Sequence, residues 1–139
     1  MATPSLILLL EEFAMRPINA VLAHRDPGAA QYLAGSLSKE FRNLLIARSA
    51  YELRANVARY RAPFAIIDLE LISLAELKEL CREFPATAFI GIHRLADDRM
   101  WADALAAGAV DCCHCDDLRG ILLAAERYVV LSRGKSAAA

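Results

Sequence analysis

The sequence predicts an α/β protein in which parallel strands alternate with helices. Short apolar runs recur along the chain, and each is followed by an amphipathic stretch that begins with a helix-capping residue. Of the 139 residues 57% are hydrophobic, and Ala and Leu dominate, which favours helices packed over a buried sheet. Because strand–helix–strand crossovers are right-handed, this alternation implies a parallel sheet that is covered on both faces.

The predicted elements follow one another without a long gap. The strands are predicted at residues 18–23, 44–47, 64–69, 87–92 and 109–113. The helices between and after them begin at capping residues, which are Asp26, Ser49, Ser73, Asp97 or Asp98, and Asp116 or Asp117. Gly108 predicts the end of the fourth of these helices.

An additional apolar stripe precedes the first strand. Its members are Leu6, Leu9, Leu10 and Phe13, at helical spacing. We therefore predict a helical extension over residues 1–16, an α/β domain over 17–132 and a flexible tail over 133–139. The stripe needs a partner surface, either on its own domain or on a second copy in a homodimer, and we favour the second copy.

Composition and charge exclude several classes of protein. A formal charge of -1 provides no attraction to nucleic acid or to an anionic membrane. The apolar run at residues 6–10 is too short to span a bilayer and lacks a preceding basic region. Three of the four cysteines lie within residues 112–115, where neighbours are badly placed to pair, so we expect reduced thiols and a cytoplasmic protein.

The segment Ala65-Ile66-Ile67-Asp68-Leu69 carries the first candidate functional residue, because it reads as an apolar strand that stops on the carboxylate of Asp68. In an open parallel sheet, ligands bind at the carboxyl ends of the strands, which gives Asp68 a place in a site. The plain alternative is a strand-end aspartate that caps a turn.

Two segments resemble the receiver domain of two-component response regulators, the CheY-like, flavodoxin-type fold. They are Ala65-Ile66-Ile67-Asp68-Leu69-Glu70-Leu71 and Ala106-Ala107-Gly108-Ala109-Val110-Asp111, and Asp26-Pro27 matches the start of the first helix. The resemblance covers residues 18–131 and implies a (βα)5 three-layer sandwich with strand order 2-1-3-4-5.

The resemblance places Asp68 at the phosphoacceptor position, but other positions of the family's site hold different chemistry. These are His24 and Arg25 at the acidic pair that binds magnesium, His93 at the Ser/Thr, Cys112 at the switch aromatic and Cys115 at the lysine. Asp26 would take over part of the acidic role if the first loop were shifted by one residue.

These replacements predict a degenerate pseudo-receiver. Magnesium requires hard oxygen ligands, so His24 and Arg25 should abolish its affinity, and we expect no cofactor and assign no metal ligand. We expect the Arg25 guanidinium to form a bidentate pair with Asp68 where the ion would sit. The predicted function is bacterial two-component-type signalling through protein contacts, independent of magnesium-dependent phosphorylation and without enzymatic activity.

Two other functions stay open. The first is a genuine phosphoacceptor in a phosphorelay, using Asp68. The second is a metal or thiol redox sensor that uses Cys115 with His93 and His24. A CxxC spacing is weak support for the sensor, because strand alternation sends neighbouring side chains to opposite faces and the acidic residues nearby should raise a thiol pKa. Buried, inert thiols are the plain alternative.

The expected partners are proteins, either a histidine kinase or a downstream signalling protein. In receiver domains the face made by the fourth helix, fifth strand and fifth helix contacts partners, and here it would include Trp101, Arg119, Arg127 and Tyr128. We find no nucleic-acid-binding module and expect no membrane association.

Overall fold

The computed structural model describes residues 18–138, and for residues 129–138 it describes the backbone alone. The predicted helical extension over residues 1–16 lies outside the described residues. The strands are β1 (Asn19–Ala23), β2 (Asn43–Ala47), β3 (Phe64–Asp68), β4 (Ala88–His93) and β5 (Asp111–His114). The helices are α1 (Pro27–Leu37), α2 (Ala50–Tyr60), α3 (Leu74–Glu83), α4 (Asp98–Ala107) and α5 (Leu118–Ala138), with a 3-10 turn at Ser38–Glu40.

The strands form a five-stranded sheet in the order β2-β1-β3-β4-β5, and every pair is parallel. This confirms the predicted α/β sandwich and its strand order. The register sets Ile66 beside Leu22 on one neighbouring strand and beside Ile90 on the other. Because β3 is central, its last residue, Asp68, lies in the middle of the carboxyl edge of the sheet.

Side chains alternate along each strand and build a core on each face of the sheet. Phe64 and Ile66 belong to the layer beneath α1 and α5, whereas Ala65 and Ile67 belong to the layer beneath α2, α3 and α4. All five residues of β3 are buried, as expected for a strand covered on both faces. The core therefore fixes which side chains of each strand can reach the carboxyl edge.

Capping residues determine where the helices begin. Asp26 accepts a hydrogen bond from the Gly28 N–H, and Ser49 accepts one from the Glu52 N–H, both as the sequence predicted. For the two helices where the sequence left a choice between neighbouring aspartates as the cap, Asp97 caps α4, and the Asp117 side chain accepts from the Gly120 N–H in the first turn of α5. These caps satisfy N–H groups that have no partner inside the helix.

Several strand ends differ from the prediction by one residue, and two boundaries differ by more. Strand β5 begins at Asp111 rather than at residue 109, because Gly108 closes α4 with a left-handed φ of 114° and the chain must still turn back toward the sheet. Helix α5 continues to Ala138, past the predicted domain boundary at 132. Flexibility of residues 133–139 stays a prediction. Among residues 18–138, no helix combines the length and apolar character that a membrane span requires.

Candidate functional site

Asp68 lies at the carboxyl edge of the sheet with its side chain enclosed, and the residue is 3% exposed. Its Oδ2 accepts the Arg25 backbone N–H at 3.0 Å, and its Oδ1 accepts the Glu70 backbone N–H at 2.9 Å. Both donors belong to loops that leave neighbouring strands, so the fold itself supplies them. Each carboxylate oxygen therefore has one fixed donor, which offsets much of the cost of burying the group.

His24 covers one side of this carboxylate. Its Nδ1 lies 3.5 Å from Asp68 Oδ2, and the same nitrogen accepts the Asp26 backbone N–H at 3.0 Å. In the neutral ring that lone pair is already used by the Asp26 N–H, so the ring proton lies on Nε2. The contact between His24 and Asp68 is then a close packing contact, and it becomes an ion pair only when the ring is doubly protonated.

The predicted pair between the Arg25 guanidinium and Asp68 is wrong. Arg25 meets Asp68 through its backbone N–H, whereas its guanidinium Nη2 lies 2.7 Å from Glu70 Oε2. The physical reason is that Asp68 is buried with both oxygens engaged, whereas Arg25 keeps 42% of its side chain exposed when it pairs with Glu70.

Glu70 is the residue that sequence reasoning missed. Its carboxylate also accepts from Arg94 Nε, at 2.9 Å and 3.1 Å, and lies 3.4 Å from His93 Nε2. The Arg94 hydrogen bond, followed by the positive charges of Arg25 and Arg94 and by His93, holds the pKa of Glu70 below its ordinary value of 4.5 against the opposing effect of burial. The usable signal was a second carboxylate two residues after the strand-end aspartate, facing the His93-Arg94 pair that ends the adjacent strand.

His93 ends β4, and its ring has a defined orientation. Its Nδ1 accepts the Leu95 backbone N–H at 2.9 Å, so the neutral ring carries its proton on Nε2, the nitrogen that faces Glu70. The ring thus presents a donor to the cluster of Arg25, Glu70, His93 and Arg94, which we call the Glu70 cluster.

The cysteines occupy the positions that strand alternation predicted. Cys113 belongs to the core layer beneath α1 and α5, where Cys115 also packs, whereas Cys112 belongs to the opposite layer. Burial, ahead of nearby aspartates, raises the pKa of Cys112 to about 11 and that of Cys113 to about 12. The pKa of Cys115 is also raised, first by burial and then by Asp116. Burial is therefore a larger cause of the raised thiol pKa values than the acidic neighbours from which the sequence predicted them.

A cavity of about 270 Å³ opens beside Asp68. It brings several of the predicted site residues together. Its lining comprises His24, Arg25, Asp26, Ala29, Tyr32, Leu33, Asp68, Glu70, Arg94, Cys115, Asp116 and Leu118. The structure therefore gathers the residues predicted for the acidic pair, the phosphoacceptor and the lysine position around one space. His93 and Cys112 are not in this lining.

Solved structures with the same fold are receiver domains of response regulators. NtrX from Brucella abortus has a TM-score of 0.78 at 21% identity, and the match covers 88% of this chain and 28% of that one. A CheY-like receiver domain protein from Methanospirillum hungatei has a TM-score of 0.75 at 17% identity, and the match covers 86% of this chain and 98% of that one. A response regulator from Burkholderia pseudomallei has a TM-score of 0.70 at 18% identity, and the match covers 86% of this chain and 73% of that one.

These similarities establish the fold of this chain. It is the flavodoxin-like fold of CheY-like receiver domains. No family model and no curated protein sequence matches the chain. The chain spans 28% of the length of the NtrX structure.

Proposed function

We propose that this chain is a receiver-type signalling domain that acts through protein contacts and does not depend on magnesium-dependent phosphorylation. Its partners would be a histidine kinase or a downstream signalling protein in the cytoplasm. The observation that supports this proposal is the way Asp68 is held, with one backbone donor on each oxygen and the His24 ring against Oδ2.

A magnesium ion would have to bind where these contacts lie. The ion prefers several oxygen ligands around one point, usually carboxylates and waters. Glu70 lines the same cavity, but its oxygens are already paired with Arg25 and Arg94. Asp26 is exposed and spends its Oδ1 on the Gly28 N–H at the start of α1. Two guanidinium groups beside the site would also repel a dication.

The same argument applies to phosphoryl transfer. An aspartyl nucleophile needs cations that stabilise the transferred group, and the resemblance to receiver domains implies that Cys115 stands in place of their lysine. Arg25 and Arg94 lie nearby, but both guanidinium groups are committed to Glu70. A domain with this site would signal through the surface that it presents to partners rather than through turnover.

Phosphoacceptor function is the second candidate, and the cavity beside Asp68 favours it. Its volume of about 270 Å³ is ample for a phosphoryl group. The Burkholderia pseudomallei response regulator, which shares this fold at 18% identity, carries a phosphorylated aspartic acid. In this second candidate the Glu70 cluster opens to release Arg25 or Arg94 toward the phosphoryl oxygens.

An amide NMR titration with magnesium, followed by beryllofluoride as a phosphoryl mimic, separates the two candidates. We expect the wild-type spectrum to stay unchanged around Asp68, His93 and β5. Shifts that concentrate at these residues, and that disappear in Asp68→Asn, would overturn the proposal in favour of the phosphoacceptor.

A matched variant tests whether His24 and Arg25 are what prevents magnesium from binding beside Asp68. The double substitution His24→Asp and Arg25→Asp restores two carboxylates beside Asp68 and removes one positive charge from the Glu70 cluster. We expect this variant to bind magnesium and to show shifts at Asp68 where the wild type shows none. Magnesium shifts of equal size in both proteins would show that His24 and Arg25 do not close the site.

A further inference from the structure

The turn between β5 and α5 carries three different ligand types in a row. His114, Cys115 and Asp116 each offer one ligand atom, and these atoms all lie within 4.8 Å of one another. We propose that this group is a binding site for a divalent transition-metal ion of intermediate softness, with zinc as the representative ion. Imidazole nitrogen, thiolate sulfur and carboxylate oxygen are the three protein ligands that zinc takes.

The end of the strand explains how consecutive side chains converge. Within a strand, His114 and Cys115 would point to opposite faces, but β5 ends at His114. The Cys115 N–H still bonds to the His93 carbonyl at 3.2 Å, and the Asp117 N–H then closes a turn onto the His114 carbonyl at 2.9 Å. This turn folds the Asp116 carboxylate back toward the His114 ring, to 3.8 Å from Nδ1.

His114 is one of three histidines in the same local arrangement. Its Nδ1 accepts the Asp116 backbone N–H at 3.1 Å, as His24 accepts from Asp26 and His93 accepts from Leu95. His24 and His93 are followed by arginine, whereas His114 is followed by a thiol and a carboxylate. The donor set is therefore different from the predicted sensor set of Cys115 with His93 and His24.

A negative charge adjoins the Cys115 thiol. Burial and then the Asp116 carboxylate raise the pKa of this thiol, so Asp116 lies close enough to act on it. Arg25 and Arg94 are paired with Glu70, and the Asp116 carboxylate, itself a proposed ligand, would offset part of the charge of an ion bound at the turn. Cys115 and Asp116 also line the cavity beside Asp68, which leaves room for water as a fourth ligand.

Binding of the metal ion exchanges a proton of the Cys115 thiol for the dication. The dication replaces the thiol proton, a metal–sulfur bond forms, and one proton passes to solvent, so affinity should rise with pH. A neutral imidazole has a single free lone pair, which at His114 is used by the Asp116 N–H. Metal binding to this ring must therefore release that N–H, whichever nitrogen it takes. The Asp116 amide is thus a specific reporter.

The test uses cobalt(II) as an optical probe of the reduced chain without oxygen, followed by displacement with zinc. We expect a thiolate-to-cobalt absorption band that saturates at one equivalent and is lost in Cys115→Ser. His114→Ala and Asp116→Asn should weaken binding by about tenfold or more. Cys112→Ser and Cys113→Ser are the matched controls, because these buried neighbouring thiols should not contribute to the band.

A second measurement needs no variant. In amide NMR spectra of the wild type, zinc should move the Asp116 amide and leave the Asp26 and Leu95 amides in place. The inference is overturned if no band forms, if the band survives in Cys115→Ser, or if all three amides move together. The proposed ligands His114, Cys115 and Asp116 are not among the groups that hold Asp68. If the chain binds no metal ion at these ligands, the proposed function is therefore unaffected. If the proposed function is overturned, the metal-site inference is likewise unaffected.

Discussion

Asp68 and Glu70 carry the same functional group two residues apart, yet they are held by different kinds of partner. Asp68 is bound by backbone N–H groups, whose positions depend on the path of the chain. Glu70 is bound by the side chains of Arg25 and Arg94, whose presence depends on residue identity. Substitutions in the site should therefore disturb Glu70 more readily than Asp68.

Glu70 should contribute to the pH dependence of stability. Its pKa in the folded protein is lowered from 4.5, chiefly by the Arg94 hydrogen bond. A depressed carboxylate pKa stabilises the folded state above the unfolded value, and this stabilisation is lost as the pH falls through the folded value. In urea titrations we expect the wild type to lose more stability than Glu70→Gln between about pH 5 and about pH 3.

The control for this pH series is Glu126→Gln, which changes an exposed carboxylate on α5. Its pH profile should run parallel to that of the wild type. Parallel profiles for Glu70→Gln and the wild type would mean that the Glu70 cluster has no net effect on folding.

Among the helices, α3 has the most complete start. The Ser73 side chain accepts the Glu76 N–H at 3.1 Å, and the Glu76 carboxylate accepts the Ser73 N–H at 3.1 Å, which is a full capping box. The cap Ser73 lies five residues after Asp68, and the short loop between them includes Glu70. The cap therefore fixes the loop that gives Asp68 one of its two backbone donors.

Ser73→Ala removes the hydroxyl acceptor of this box. We expect a loss of about 1 kcal/mol in the free energy of unfolding, because the Glu76 N–H is left without its partner. Urea unfolding monitored by circular dichroism measures this loss.

Ser36→Ala is the matched control, since Ser36 is an exposed helical serine whose hydroxyl donates to the Tyr32 carbonyl within α1. Its unfolding free energy should change by less than about 0.5 kcal/mol. Equal losses in the two variants would contradict a special role for the cap of α3.

At the scale of the whole molecule, the centre and the edge of the sheet differ in burial. Ile66 on β3 is 0% exposed between Leu22 and Ile90, whereas Ile46 on the edge strand β2 is 36% exposed. The central strand contacts helices on both faces, so its side chains leave a cavity when they are shortened.

Ile66→Ala should therefore lower the free energy of unfolding by about 2–5 kcal/mol. Ile46→Ala, the same chemical change at the edge, should cost about 1 kcal/mol or less. Denaturant midpoints measure the loss of unfolding free energy in both variants. The slopes of the unfolding transitions are compared to check two-state behaviour. Similar costs would show that the central layer relaxes around the missing methyl groups.

The fold was largely predictable from the sequence, because its signals are local. Apolar runs such as the one ending at Asp68, capping residues such as Ser73, and the Gly108 turn each act within a few residues of chain. The exact start of β5 was not predictable, since that boundary depends on how α4 and β4 meet the returning chain.

The sequence by itself determined that an apolar strand ends at Asp68, and it led to the prediction that His24, Arg25 and Cys115 lie around that carboxylate. Only the tertiary structure decided that the Arg25 guanidinium turns to Glu70, that Arg94 joins it, and that His114, Cys115 and Asp116 converge. The physical reason is that side-chain pairing depends on distances between residues of different strands and on which carboxylate keeps access to water, and neither is encoded in local patterns.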